Sequence, residues 1–327
     1  MSTVTQADPA NAAGSAGPLA HRRPLGDRAF QILALACGLL VLVILVLIAV
    51  STSQQASSWF STAGFSGIFS TVWNPATNQF GAMAYLYGTV ITAVIAIIIA
   101  VPVSVAIALL LTQVVPQRWS QPIVYVIDLL AVIPSVVWGL WGILVLVPWI
   151  QGIYASIASG VTGIPVLDSL FGSNTSGASF FTAGLILAVM ITPIITSLSR
   201  EVIATVPTID KEGAYALGAT RWEMIRGAVW PHSQGGVVGA VLVGLGRAMG
   251  ETIAAALVIG SSAQVTSRLF GPGYSIPSVI ANQFGEASGE FRSALIGLGV
   301  FLFAITIVIN LAARAIVERS ARRMRGA

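Results

Sequence analysis

The sequence predicts an all-α polytopic membrane protein, with six transmembrane helices and both termini in the cytoplasm. Three observations predict it. Mean hydropathy is +0.88 and only 9% of the 327 residues are charged, against about 25% in an ordinary soluble domain. Six apolar stretches, at residues 32–50, 85–112, 123–150, 180–198, 237–260 and 294–317, are each long enough to cross a bilayer. Basic residues fall almost entirely in alternate connections between them.

Residues 1–29 are rich in Ala, Gly, Ser and Pro near the start and lack hydrophobic periodicity, so a disordered cytoplasmic extension is expected. The apolar run that follows is too long for a signal-peptide core and reads as the first membrane helix. Several later stretches exceed the bilayer thickness, which implies tilt or helix continuing beyond it. Residues 30–317 then form one six-helix domain with a cytoplasmic loop at about 200–231, and residues 318–327 form a basic cytoplasmic tail. The inward segments carry Arg22, Arg23 and Arg28, then Arg118, then Arg200, Lys211, Arg221 and Arg226, then Arg314, Arg319, Arg322, Arg323 and Arg325. The outward loops carry only Arg268 and Arg292. The net charge of +4 is therefore a topology signal and gives no reason to expect nucleic acid. Cys37 is alone, which excludes an intrachain disulfide, and His21 and His232 are too few and too far apart for a metal site.

The outward loops, residues 51–84, 151–179 and 261–291, are rich in Ser, Thr, Gly and Asn, with Trp59, Phe60, Trp73 and Phe171 scattered through them. They read as solvated connections with interfacial aromatic anchors, or as a docking surface for an extracytoplasmic partner. Their few charges are Asp168, Arg268, Glu286, Glu290 and Arg292. Docking would then rest chiefly on neutral contacts.

The loop at 200–231 reads as two short helices. Pro207 ends the preceding span, a helical pattern runs from Glu212 to Leu217, and Gly218 is placed to end it at positive φ. Thr220 and Glu223 match a capping box that opens a second helix, running to Trp230 before Pro231.

Arg247 and Glu251 are the only charged residues between 232 and 260. At 1.5 Å per residue they lie about 20 Å from either end of that segment. A charge at such depth costs from about 2.5 to more than 10 kcal/mol. Their i, i+4 spacing predicts one shared helix face, on which Gly246 and Gly250 leave room. Arg247 offers a planar fork of donors suited to an oxyanion. Glu251 can accept the P–OH proton that phosphate retains at neutral pH and that sulfate lacks. A buried ion pair that merely fixes helix packing remains the alternative. Asp128, the other intramembrane acid, reads as a hydrogen-bonded packing residue or a partner for an inward arginine rather than as a gate element. Pro102, Pro134 and Pro193 fall inside spans and should bend or unwind them.

The order Glu212-Gly213-Ala214, Gly218, Pro231 resembles the EAA loop of binding-protein-dependent ABC importer permeases. Gly213, Ala228 and Trp230 depart from the usual residues, while the Glu, Gly and Pro framework is intact. Further segments narrow the resemblance to the phosphate-importer branch: Trp73-Asn74-Pro75, Phe80-Gly81-Ala82, Tyr87-Gly88-Thr89, Ile133-Pro134-Ser135-Val136-Val137-Trp138-Gly139, Ser197-Leu198-Ser199-Arg200 and Gly244-Leu245-Gly246-Arg247-Ala248-Met249-Gly250-Glu251-Thr252.

The resemblance, which covers roughly residues 30–325, implies a type I importer permease in a bacterial plasma membrane. It implies four partners: a homologous permease subunit (PstA), two ATPase subunits (PstB), an extracytoplasmic phosphate-binding protein (PstS) and the lipid bilayer. Gly246, Arg247, Gly250, Glu251 and Thr252 would line the substrate pathway. Glu212, Gly213, Ala214, Gly218, Thr220, Arg221, Glu223 and Pro231 would couple it to the ATPase, and Asp128, Pro134 and Ser135 would serve a gate or packing. The chain itself is expected to bind no cofactor and to be no enzyme. The only lysine, Lys211, lies between Asp210 and Glu212 and cannot complete a phosphate-binding G-x-x-x-x-G-K-[ST] loop, so Mg-ATP would belong to the partner. A passive anion channel or secondary transporter could carry the same mid-membrane pair, yet neither needs an EAA-type loop.

Overall fold

The computed structural model describes residues 25–172 and 176–325. Most of the expected N-terminal extension lies outside the described residues. The chain divides into two compact units, residues 1–51 and 52–327.

In the first unit, helix α1 (Leu25–Gln55) begins inside the stretch expected to be an extension and ends just past the unit boundary. It is apolar on every face, the pattern of a membrane span.

The second unit opens with α2 (Ser57–Ile68) and a two-stranded hairpin, β1 (Trp73–Asn74) and β2 (Gln79–Phe80). Then come α3 (Met83–Leu109), α4 (Gln117–Val132), α5 (Ser135–Trp141), α6 (Val147–Val161), α7 (Pro165–Phe171) and α8 (Phe180–Ala204). The loop expected to be cytoplasmic forms α9 (Thr208–Ala216) and α10 (Arg221–Met224). The remainder is α11 (Trp230–Gly250), α12 (Ile253–Val258), α13 (Ile276–Gln283) and α14 (Gly289–Arg325). Helix α14 continues through most of the segment expected to be a basic tail.

Five helical runs among the described residues are long and apolar enough to cross a membrane: Arg28–Gln55, Met83–Val114, Ser135–Val161, Phe180–Ala204 and Gly289–Ala315. Two of the six expected spans differ from the sequence reading. The stretch 123–150 is interrupted at Ile133 and Pro134, both extended, with ψ of 124° and 141°. Proline lacks an N–H and pushes its predecessor out of the helical region. The stretch 237–260 breaks after Gly250, where Glu251 takes φ −69°, ψ 126°.

Prolines also explain three widened, π-type turns. Each ends two residues before a proline: Leu110–Val114 before Pro116, Gly142–Leu146 before Pro148, and Ile225–Val229 before Pro231. The carbonyl that each proline ring would strike, four residues back, lies within the widened turn. α10 therefore runs into α11 as one continuous rod, where the sequence suggested a stop at Trp230. Pro102 and Pro193, by contrast, sit inside unbroken α3 and α8.

Helix α8 is the packing centre. Gly184 lets α3 approach, since a Cβ there would lie 2.5 Å from Ile95, and Gly244 does the same for α11, with a Cβ 2.7 Å from Ile195. Gly139 brings α5 against α12, 3.0 Å from the Cα of Ala254. Gly88 brings α3 against the backbone of Tyr274, and the Ile276 N–H donates to Thr89 Oγ1 at 2.9 Å.

The cytoplasmic loop forms as its sequence suggests. Gly218 has φ +81° and its N–H donates to the Tyr215 carbonyl at 2.9 Å. The Thr220 N–H donates to Glu223 Oε2 at 2.8 Å, and the Glu223 N–H returns to Thr220 Oγ1 at 3.4 Å. Hydrogen bonds from the Thr220 hydroxyl and backbone hold the Glu223 carboxyl below its usual range.

A Cβ at Gly218 would meet nothing within 4 Å, so only its φ constrains the residue. Gly218→Val is expected to destabilise the loop by about 1–2 kcal/mol, and Gly218→Asn, which tolerates positive φ, by clearly less. Rates of limited proteolysis between α9 and α10 would check the order; equal rates for the two variants would contradict it.

Candidate substrate pathway and coupling surface

The break between α11 and α12 sets the geometry of Arg247 and Glu251. Arg247 lies in the last turn of α11, where the helix dipole favours a cation. Glu251 has left the helix, so the i, i+4 relation expected from the sequence is not formed. Its Oε1 instead accepts from the Ala254 N–H at 3.4 Å and caps the start of α12. The Thr252 hydroxyl donates back to the Gly250 carbonyl at 3.2 Å. Among the described residues, neither Arg247 nor Glu251 belongs to an ion pair, and Arg247 is exposed. The structure thus argues against a packing ion pair as the reason for the two charges.

The glycines of α11 separate into two sets. Cβ atoms at Gly236 and Gly244 would strike Val202 and Ile195, so these glycines serve helix packing. Cβ atoms at Gly235, Gly239, Gly246 and Gly250 would meet nothing within 4 Å. Three of the open glycines, with Val243, pave a groove of about 560 Å³ whose other wall includes Asn310 and Arg314 of α14. Val243 and Arg247 share a helix face, which places Arg247 at the end of this groove. The sequence reading missed Asn310 and Arg314, counting Arg314 only as a topology signal. Their own i, i+4 spacing was the available clue.

The second interruption lies nearby. Pro134 and Ser135 begin α5, against which the first turn of α12 packs through Gly139. The structure therefore brings both non-helical segments into one region of the second unit. Asp128 is exposed on α4, and its Oδ1 accepts from Ser197 Oγ at 3.2 Å. It does not pair with an arginine among the described residues.

The two short helices of the 205–231 loop differ in burial. α10 and the widened turn after it are anchored: Met224, Ile225 and Val229 are buried with Ile203, Val206 and Val237. α9 has no buried residue, and it presents Ile209 (73% exposed) and, at its C-cap, Leu217 (91% exposed). These exposed apolar side chains make α9 the candidate docking surface of the loop. Glu212 and Gly213 lie on the same exposed helix, Gly218 caps it, and Thr220, Arg221 and Glu223 form the turn into α10. Ala214 is half-buried against the anchored cluster, and Pro231 is exposed at the start of α11.

The profile described as binding-protein-dependent transport system inner membrane component matches residues 104–326. A phosphate transport system permease protein PstC of Mesorhizobium japonicum is 43% identical over 321 residues, 98% of each chain. One of Haemophilus influenzae is 44% identical across 85% of this chain and 90% of its own length. PstC 2 of Mycobacterium tuberculosis is 38% identical across 89% and 91%. Among solved structures, the fold resembles a chain of the inward-facing MetNI methionine ABC transporter, with TM-score 0.51, 16% identity, and coverage of 76% of this chain and 99% of that one. It also resembles a chain of a bacterial ABC transporter that imports alginate, with TM-score 0.50, 15% identity, and coverage of 89% and 99%. At such identities the two structures speak for the fold alone. With the profile spanning well over half of the chain and relatives matching along nearly all of it, the chain belongs to the binding-protein-dependent transport system inner membrane component family.

Proposed function

We propose that this chain is the membrane permease subunit of an ATP-driven inorganic phosphate importer in the bacterial plasma membrane. The observation that carries the reading is the interrupted helix that leaves Arg247 and Glu251 unpaired, in a chain similar along its length to proteins named phosphate transport permeases. A helix C-terminus stabilises a cation by about 0.3–1 kcal/mol. This is too little to offset the cost of placing Arg247 at membrane depth, so the charge needs an anion or water in front of it.

Six passes, with both termini cytoplasmic, accommodate the two interruptions. The third pass falls within residues 123–150, across the break at Pro134, and the fifth is α11 with α12. Arg247 supplies charge and donors to phosphate, while Glu251 accepts its proton and repels sulfate. The homologous permease PstA completes the pathway, and the phosphate-binding protein PstS delivers substrate from outside. Two PstB subunits bind and hydrolyse Mg-ATP. A passive channel leaves the exposed apolar face of α9 without a purpose.

Arg247→Ala is expected to abolish uptake in assembled complexes, whereas Glu251→Gln loses less uptake and discriminates less against sulfate. The amide no longer repels a fully ionised anion and can donate to it. Phosphate uptake with sulfate as competitor measures both effects. Restored transport in Arg247→Glu with Glu251→Arg would refute substrate contact.

The two glycine sets give a second check. Gly246→Val should block uptake without loss of assembly, while Gly244→Val should reduce assembled complex, because Ile195 cannot yield without moving α8. Equal behaviour of the two would contradict the separation.

For coupling, Leu217→Asp should weaken association with the ATPase subunits by roughly 10- to 100-fold, the equivalent of about 1.5–3 kcal/mol for one large apolar side chain. Co-purification of the ATPase at increasing dilution would show it. Unchanged association would move the docking surface away from α9.

A further inference from the structure

On the side assigned to the cell exterior, the second unit contains an open pocket of about 350 Å³ with a mixed apolar and polar lining, formed by α2, the β1–β2 hairpin and the first turn of α14. Its walls are fixed. The Trp59 indole N–H donates to the Phe80 carbonyl at 2.9 Å, and its backbone N–H donates to Ser293 Oγ at 3.2 Å. Phe80 and Phe291 stack with centroids 5.6 Å apart. Gly81 lets the hairpin pack directly on the chain at Ser70, where a Cβ would lie 2.2 Å from the Ser70 carbonyl oxygen.

One charged side chain lines this pocket, Glu290. It is half-buried, and its Oε1 accepts from Thr62 Oγ1 at 3.2 Å. A carboxylate has about four acceptor positions, and this single bond leaves most of them open. Among the described residues no cation pairs with it. Arg292, two residues on and therefore on another face of α14, lies over the Phe284 ring at 5.0 Å. The pocket's remaining polar groups include the side-chain amides of Asn78 and Gln79, whose carbonyl oxygens are further acceptors. One anion, neutral acceptors and no cation make a site complementary to a guanidinium or ammonium group.

We propose that this pocket receives one arginine or lysine side chain of the extracytoplasmic binding protein when that protein docks. The inference rests on reading the chain as an importer subunit, and it adds a single charged anchor to a surface that is otherwise neutral. Glu290 also lies in the first turn of α14, where the helix dipole favours a carboxylate. That role alone predicts an effect on stability with none on docking.

The test uses the complete transporter in nanodiscs, titrated with phosphate-loaded binding protein, with ATPase stimulation and melting temperature as readouts. Glu290→Gln is expected to raise the half-stimulating concentration roughly tenfold, leaving basal and maximal ATPase activity unchanged. Glu290→Lys should raise it further, and Thr62→Val, which keeps the charge, should change it little. Stimulation of the wild type should weaken modestly with salt, and Glu290→Gln should lose that dependence. An unchanged half-stimulating concentration in Glu290→Gln, or a lowered melting temperature without a change in docking, overturns the proposal and leaves the importer reading intact. Absence of stimulation in the wild type would instead overturn the importer reading, and the proposal with it.

Discussion

The interior of a bilayer offers a backbone no hydrogen-bond partner, so each place where this chain leaves the helix must be supported from within the protein. The interruption after Gly250 shows how that is done. The Glu251 N–H reaches the Ala248 carbonyl, the Glu251 carboxylate accepts from Ala254, and the Thr252 hydroxyl donates to Gly250. At the far end of α12, the Val258 carbonyl accepts from the Ser179 N–H at 3.0 Å and the Ile259 carbonyl from the Gly273 N–H at 2.8 Å. A segment satisfied in this way can hold charged side chains in an irregular backbone at depth, which a plain spanning helix could not do without aligning them on one face.

Close packing makes that support available. Helix α8 is met by α3 and α11 at glycines, and the same device joins α5 to α12. Gly244 sets α11 against α8, and Gly139 sets α12 against α5. Elsewhere on α11 the same residue type does the opposite, because nothing fills the space before Gly235, Gly239, Gly246 and Gly250. Small residues thus serve both contact and clearance on a single helix.

The loop at 205–231 joins the exposed helix α9 to α11. α10 is buried against the core and continues into α11, which carries Arg247 at its other end. α9 carries the exposed apolar residues and meets α10 through the Gly218 turn and the Thr220 capping box. The Gly218 turn therefore links α9 to the rod that carries Arg247 in its last turn.

Local signals were legible in the sequence. Apolar length predicted the membrane class, Gly218 the positive φ, and Thr220 with Glu223 the capping box, because each depends on residues within a few positions of one another. Arg247 and Glu251 stood out because charge at membrane depth is costly whatever the fold. Tertiary structure decided the rest. Glu251 leaves the helix at a break whose groups are satisfied by Ala248, Gly250 and Ala254, while the far end of α12 is tied to Ser179 and Gly273, contacts that spacing alone does not reveal. The same holds for the glycines: composition cannot say which of them faces a neighbour, since that depends on where α8 and α14 lie. Asn310 and Arg314 line the groove beside α11 only because α14 returns there, a contact between residues about 70 positions apart that no local pattern encodes.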